Sequence, residues 1–482
     1  MMEAGTGSQL ESVLVVLNNH NSSALIDLCN QIRSVRPGLK TLAACSPAVE
    51  AGMRTRLKAE GLTPLLLGPP GGNFTASVNK MAETAGVAPG NARSRPSLMR
   101  RVLSWAVNSS PGAFLRQKLI EYRLRVAKSV ALDCLKKHRP GAVLSLSDRS
   151  HDYVEGPILW AARRLGIPVV LPYVSQFDAE AALKYRRDAN GLTFPELSPD
   201  QPKSLYKTWA KSRLADQVYQ NTFFQAPYVL LASRVEGILS SNPWWLGSGN
   251  SDIVCAESQH GAEKYRRGGV PADKIRVTGH VTLDSVYRSH VKRDELRESL
   301  RRGFGLPGGM PLVILSMPQF AEQGYLAWPE HWARIREILK GATSPDWATL
   351  VSIHPRSDPA EYAFAEAEFG AHILRPRLAE IVGAADLFVA SNSTTFSWPA
   401  LCGIRSVAVW SPVEFLFGFL GSIVPEYDSA ALPQLIGTLL NESDFSFEAD
   451  WAALSRSEVF DGKFAERFTA LLETAKAAPE PA

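Results

Sequence analysis

No apolar run in the chain approaches the roughly 18 residues a membrane span needs, and the opening MMEAGTGSQLES has no basic region leading into an apolar one. A cytoplasmic location is therefore expected, neither secreted nor membrane-spanning. Cysteine is scarce. Cys29, Cys45, Cys134, Cys255 and Cys402 are scattered, odd in number and without CxxC or Cys/His spacing, which argues against a disulfide framework or a zinc site and fits a reducing compartment. Excess charge is missing too: 52 basic against 48 acidic residues leave +4 on 482. That is too little to argue for nucleic acid as a partner, yet it would not repel a phosphorylated substrate. Internal repeats are absent, and low complexity is confined to the AAPEPA tail.

With 45% hydrophobic and 21% charged residues the composition is that of a globular enzyme, and the length calls for two domains of roughly 200 residues each. Short buried-type strands alternate with helix-period segments: SVLVVL (12–17), TLAACS (41–46), PLLLG (64–68), GAVLSLSD (141–148), IPVVLPYV (167–174), YVLLAS (228–233), SDIVCAE (251–257) and KIRVTGH (274–280). Turn formers fill 69–112, and the charged KRDELRESLRRGFGLPGGMP (292–311) reads as a helix and linker. The pattern then resumes with LVILSMP (312–318), TLVSIHP (349–355), HILRP (372–376), DLFVAS (386–391) and RSVAVW (405–410). The expected fold is α/β: two tandem Rossmann-like doubly wound domains, 1–300 and 301–482, with ligands in a cleft at the carboxyl edges of their sheets.

Several loops carry groups suited to a phosphate. His354, in LVSIHPRSDP, can donate a hydrogen bond or a charge, and Arg356 follows two residues later; a histidine that merely ends its strand is the alternative. In VASNSTTFSWPALCGIRSVAV (389–409), Ser391, Asn392, Ser393, Thr394 and Thr395 stand at a predicted helix start. One hydroxyl suffices for a cap, and this run supplies more, so an anion-binding helix mouth is expected. No Asp-x-Asp pair sits at a strand end, so neither a metal ion nor another cofactor is expected. Gln319 and Glu322 follow the second domain's first strand. In the first domain His20 follows the first strand in VVLNNHNSSAL, flanked by Asn19, Asn21 and Ser22; a surface-loop histidine is the bland alternative. Asp148 ends AVLSLSD beside Arg149, His151 and Asp152, and helix capping explains it almost as well. Asp178 is a further acidic candidate.

The order strand, Ser/Thr cluster, helix and ALCGIRSVAV resembles the C-terminal domain of GT-B-fold glycosyltransferases and the related UDP-N-acetylglucosamine 2-epimerases. VCAESQHGAEKYRRGGVPADKIRVTGHVTLDSV (254–286) and VLSLSDRS…AARRLGIPVVLPYV are similar to two further stretches of that group, so the resemblance spans roughly 140–410. It implies a nucleotide-activated sugar held by the C-terminal domain and an acceptor held by the N-terminal one. The His-Pro pair resembles that of bacterial sialyl- and polyol-phosphate transferases, in which the histidine contacts the donor phosphate. By the same resemblance His20 and Asp148 are candidate catalytic groups. Gln319, Glu322, His354, Arg356, Ser391, Ser393, Thr394 and Thr395 would bind the donor, and Asn19, Asn21 and Asp178 the acceptor.

Departures from the pattern narrow the function. Where UDP-sugar users carry a ribose-binding glutamate, this chain reads Trp398-Pro399-Ala400, and the acids of the epimerases are missing. The expected activity is metal-independent glycosyl transfer from a CMP- or UDP-type donor to a bacterial glycan, lipid-linked or protein acceptor. A 2-epimerase-like isomerase and a catalytically silent nucleotide-sugar-binding protein are the alternatives. The aromatic clusters NPWWLG (242–247) and PVEFLFGFLG (412–421) fit core packing, a homodimer contact, or an acceptor or peripheral membrane patch.

Overall fold

A computed structural model of the chain describes residues 10–17, 22–67, 110–149, 152–174, 179, 183, 205–322, 325–354, 357–391, 393–410 and 417–476. It forms two compact units: Met1–Cys255 with Ala262–Arg276 and Ala465–Ala482, and Ala256–Gly261 with Val277–Phe464. The division at 276–277 leaves the helices Leu283–Val291 and Arg293–Phe304 in the second unit, whereas the sequence pattern places the boundary at 300. Backbone contact explains their allegiance. A Cβ on Gly383 would lie 2.4 Å from the Ser289 carbonyl, and Arg293 donates to the carbonyls of Gly383 and Cys402, each at 2.8 Å.

The first unit is built on β1 (Ser12–Leu17), β2 (Lys40–Cys45), β3 (Thr63–Leu66), β4 (Ala142–Leu144), β5 (Val169–Leu171), β8 (Ile253–Ala256) and β9 (Ile275–Val277), in the order β3-β2-β1-β4-β5-β8-β9. A small antiparallel hairpin, β6 (Val218–Tyr219) and β7 (Thr222–Phe223), stands apart from it. Val13 to Leu17 of β1 are all buried, as a central parallel strand covered on both faces requires.

YVLLAS, expected as a strand, lies in the helix Pro227–Val235. A short apolar run is compatible with either element. Here Pro227 presets the first helical turn, Gly237 at φ +69° follows the helix end, and Leu230, Leu231 and Ala232 pack against the long helix Ser110–His138.

The second unit contains β10 (Leu312–Ser316), β11 (Ala348–Ser352), β12 (His372–Ile373), β13 (Leu387–Ala390), β14 (Ser406–Val409) and β15 (Ile423–Glu426), all neighbours parallel, in the order β12-β11-β10-β13-β14-β15. Counting β10 as the first strand, this is the 3-2-1-4-5-6 order of a Rossmann sheet. The alternation of β10 divides the core. Leu312 and Ile314 join one layer with Phe388 and Leu401, while Val313 and Leu315 join the other with Ile335 and Tyr362. The doubly wound fold expected for each unit is present in both. No helix among the described residues is long and apolar enough to cross a membrane.

Candidate active site

Reversal of strand order makes a crevice beyond the carboxyl ends of the strands that flank the switch, and in the second unit those are β10 and β13. Their register sets them level: Ser316 pairs with Ser352 of β11 on one side and with Ala390 of β13 on the other. With neighbouring strands ~4.8 Å apart, the loops after β11, β10 and β13 leave the sheet side by side. His354, Gln319 and Ser391 lie two, three and one residues beyond those ends.

The first two loops are joined by hydrogen bonds. Gln319, nearly buried, donates through Nε2 to Ser357 Oγ at 3.3 Å, and Ser357 Oγ donates to Glu322 Oε1 at 2.9 Å. The Ser357 amide closes the turn by donating to the His354 carbonyl at 2.9 Å. Tyr362, buried beneath and hydrogen-bonded to Ser357, has its phenol pushed up to about 12, first by burial and then by the Glu322 charge. Gln319, Glu322 and the His354 turn thus form one bonded unit. Ser357 and Tyr362 hold it together, and sequence reasoning names neither in that role, although Ser357 lies only three residues past His354.

The third loop differs from expectation. Ser391 is buried and its hydroxyl donates to the Trp410 carbonyl at the end of β14, so that hydroxyl is not presented to a phosphate. The predicted helix opens as a 3-10 turn, Thr394–Phe396, and continues as only Ser397–Leu401, too short for the dipole of a long helix. Ser393 is its cap: its Oγ accepts from the Thr395 amide at 3.2 Å and lies 2.8 Å from Thr395 Oγ1. Thr394 is the exposed hydroxyl of this turn. Trp398 packs against the core with its indole N–H buried and without a partner among the described residues.

Beside the turn, fully buried Ser397 donates to the buried Glu257 carboxylate at 2.6 Å. Sequence reasoning misses this pair, which joins positions 140 residues apart.

In the first unit Asp148 is a brace. Its carboxylate is buried and accepts from the Gly247 amide at 3.0 Å, the Gly249 amide at 2.8 Å and the Ser251 hydroxyl at 2.6 Å. Both oxygens accept hydrogen bonds from the 247–251 loop, a bracing role that the sequence pattern does not name for this residue. Asp152 caps the helix Glu155–Arg164 through the Val154 and Glu155 amides. Asn19, His20, Asn21, Asp178 and Arg356 lie outside the described residues.

Below the loop after β10 sits a buried imidazole. His331 is wholly inaccessible, its ring 6.1 Å from Phe320, 5.5 Å from Trp328 and 4.7 Å from Trp332, and neither ring nitrogen has a partner among the described residues. Burial lowers its pKa against the opposing pull of Glu322 and Glu361. An unfolded histidine takes its proton near pH 6.5 and this folded one does not, so stability is present at neutral pH and lost as pH falls through that value. His331→Leu is expected to hold or raise stability by about 1 kcal/mol at neutral pH and to flatten the loss between about pH 7 and 5. Urea midpoints across that range check it, and an unchanged acid slope would refute the assignment.

No family model matches the chain and no curated protein is similar to it in sequence. Among solved structures it is similar to the UDP-GlcNAc 2-epimerase of Neisseria meningitidis (11% identity, 96% of this chain and 99% of the other, TM-score 0.47). It is likewise similar to MurG of Acinetobacter baumannii (16%, 96% and 99%, 0.46) and to the wall teichoic acid polymerase TagF (9%, 96% and 89%, 0.46). At such identities these matches say nothing of this chain's chemistry.

Proposed function

We propose that the chain is a glycosyltransferase that uses a nucleotide-activated sugar and no metal ion. The observation that carries this reading is the side-by-side exit of three polar loops at the Rossmann switch point, two of them locked together by Gln319, Ser357 and Glu322. In the reaction an acceptor hydroxyl attacks the anomeric carbon while the bond to the donor phosphate breaks, the electron pair leaving with the nucleotide. His354 and Arg356 stabilise the charge on that phosphate, with Thr394 and Thr395 beside them, and Gln319 and Glu322 face sugar or ribose hydroxyls. His20 takes the acceptor proton, with Asn19, Asn21 and Asp178 around the acceptor.

Trp398 in place of the ribose-binding glutamate favours a CMP-type donor over a UDP-type one. An exposed apolar row on the helix Ser110–His138, Leu115, Leu119 and Tyr122, with Lys118 and Arg125 nearby, supports an acceptor met at a membrane surface.

The test is nucleotide release from CMP-, UDP-, GDP- and CDP-activated sugars, with and without EDTA, and with lipid-linked acceptor in anionic vesicles. Release that depends on acceptor and survives EDTA is expected. Conversion of the donor sugar without nucleotide release would make the chain an isomerase, and tight nucleotide binding without turnover would make it a binding protein.

A further inference from the structure

A surface pocket of about 670 Å³ in the second unit belongs to none of these loops. The helix Leu283–Val291 contributes Tyr287, His290 and Val291, which share a face at i, i+3 and i+4. The helices Glu448–Ala453 and Arg456–Val459 supply Trp451, Ala452, Arg456 and Ser457, and Phe460 closes it. The pocket is anchored at the amino edge of the sheet. Arg456 is bonded to Leu401, where the chain turns back toward β14, and the helix of His290 packs on Gly383, ahead of β13. The loops of the proposed donor site leave the carboxyl edge.

Its walls are held in place without a ligand. The Trp451 indole donates to the Ala400 carbonyl at 3.0 Å. The Tyr287 ring stands edge-on to Phe460 at 5.3 Å and lies so close to Gly462 that a Cβ there would approach it to 2.6 Å. Arg456 is fixed at Nε, which donates to the Leu401 carbonyl at 3.1 Å, and its guanidinium carbon lies 4.2 Å from the Trp451 ring centroid. That leaves the two terminal amino groups of its fork without hydrogen-bond partners among the described residues. The Tyr287 and Ser457 hydroxyls are likewise without partners, and His290 Nδ1 is buried and unbonded among the described residues. No carboxylate among the described residues lines the pocket.

Aromatic walls, a free guanidinium edge and an absence of negative charge are the complement of one ligand chemistry: a planar ring carrying a phosphate or carboxylate. The volume falls within the range of small-molecule sites. We propose that this pocket binds a small aromatic anion, its ring against Trp451, Tyr287 and Phe460 and its charged group on the Arg456 fork.

Calorimetric titration of the full chain with phenyl phosphate, benzoate, inorganic phosphate and benzyl alcohol tests it, the first two distinguishing phosphate from carboxylate. At least one aromatic anion should bind more tightly than both inorganic phosphate and the neutral alcohol. Arg456→Ala should weaken that binding about tenfold or more. Because Arg456 also bonds Leu401, a second variant, Ala452→Phe, fills the pocket from an exposed rim position and should weaken it as well. His354→Ala should leave it unchanged, which separates this site from the donor site. Absence of binding by both aromatic anions, equal binding of the neutral alcohol, or indifference to both pocket variants would overturn the proposal.

Discussion

Asp148→Ala is expected to destabilise the first unit by about 3 kcal/mol, with the urea midpoint of its transition falling by about 1 M. The alanine leaves the Gly247 and Gly249 amides and the Ser251 hydroxyl without their acceptor, in a site that water reaches poorly. Hydrogen bonds to a charged group are worth about 1.5 to 3 kcal/mol each, and they do not add, because the loop relaxes once the first is lost. An amide in place of the carboxylate still accepts through its one oxygen, so Asp148→Asn should fall between alanine and the native protein. The loop cannot be rebuilt by packing: a Cβ on Gly249 would lie 2.1 Å from the Asp148 carbonyl oxygen. An unchanged midpoint together with lost turnover would return Asp148 to the chemistry and refute the brace.

The same residue shows where sequence ceases to speak. Its side chain is bonded to positions about 100 residues away, and no local pattern encodes a partner at that distance. Capping, which is local, is the nearest reading the sequence offers. β1 and β10 are legible because a strand buried on both faces must be a continuous apolar run, and nothing else in the chain competes for SVLVVL or LVILS. YVLLAS has the same composition and becomes a helix because Pro227 and a long neighbouring helix decide it. The order of strands is not legible from alternation alone. It is the order, however, that brings Gln319, His354 and the Ser393 turn to one edge, and neither that placement nor the bonding between the loops is written in a local pattern. Ser391 has the residue type of a phosphate ligand, yet its hydroxyl is turned to the Trp410 carbonyl.

That contrast between a hydroxyl turned back onto the fold and an imidazole at the sheet edge sets the second large effect. If the donor phosphate lies at this edge, His354→Ala is expected to lower kcat/KM by about a hundredfold or more, the scale of removing one donor that meets charge developing in the transition state. Ser391→Ala should act mainly through the loop it ties to Trp410, with a smaller kinetic effect and a measurable loss of stability. The division of the His354 effect is informative. A histidine that only binds the ground state raises KM and spares kcat, whereas one that stabilises the departing phosphate lowers kcat. Its backbone carbonyl accepts from the Ser357 amide, a bond that alanine keeps, and a urea midpoint measured beside the kinetics separates a loss of folding from a loss of catalysis. Steady-state kinetics on the donor that gives the fastest nucleotide release measure the effect, and a change of less than about threefold in kcat/KM would remove His354 from the reaction.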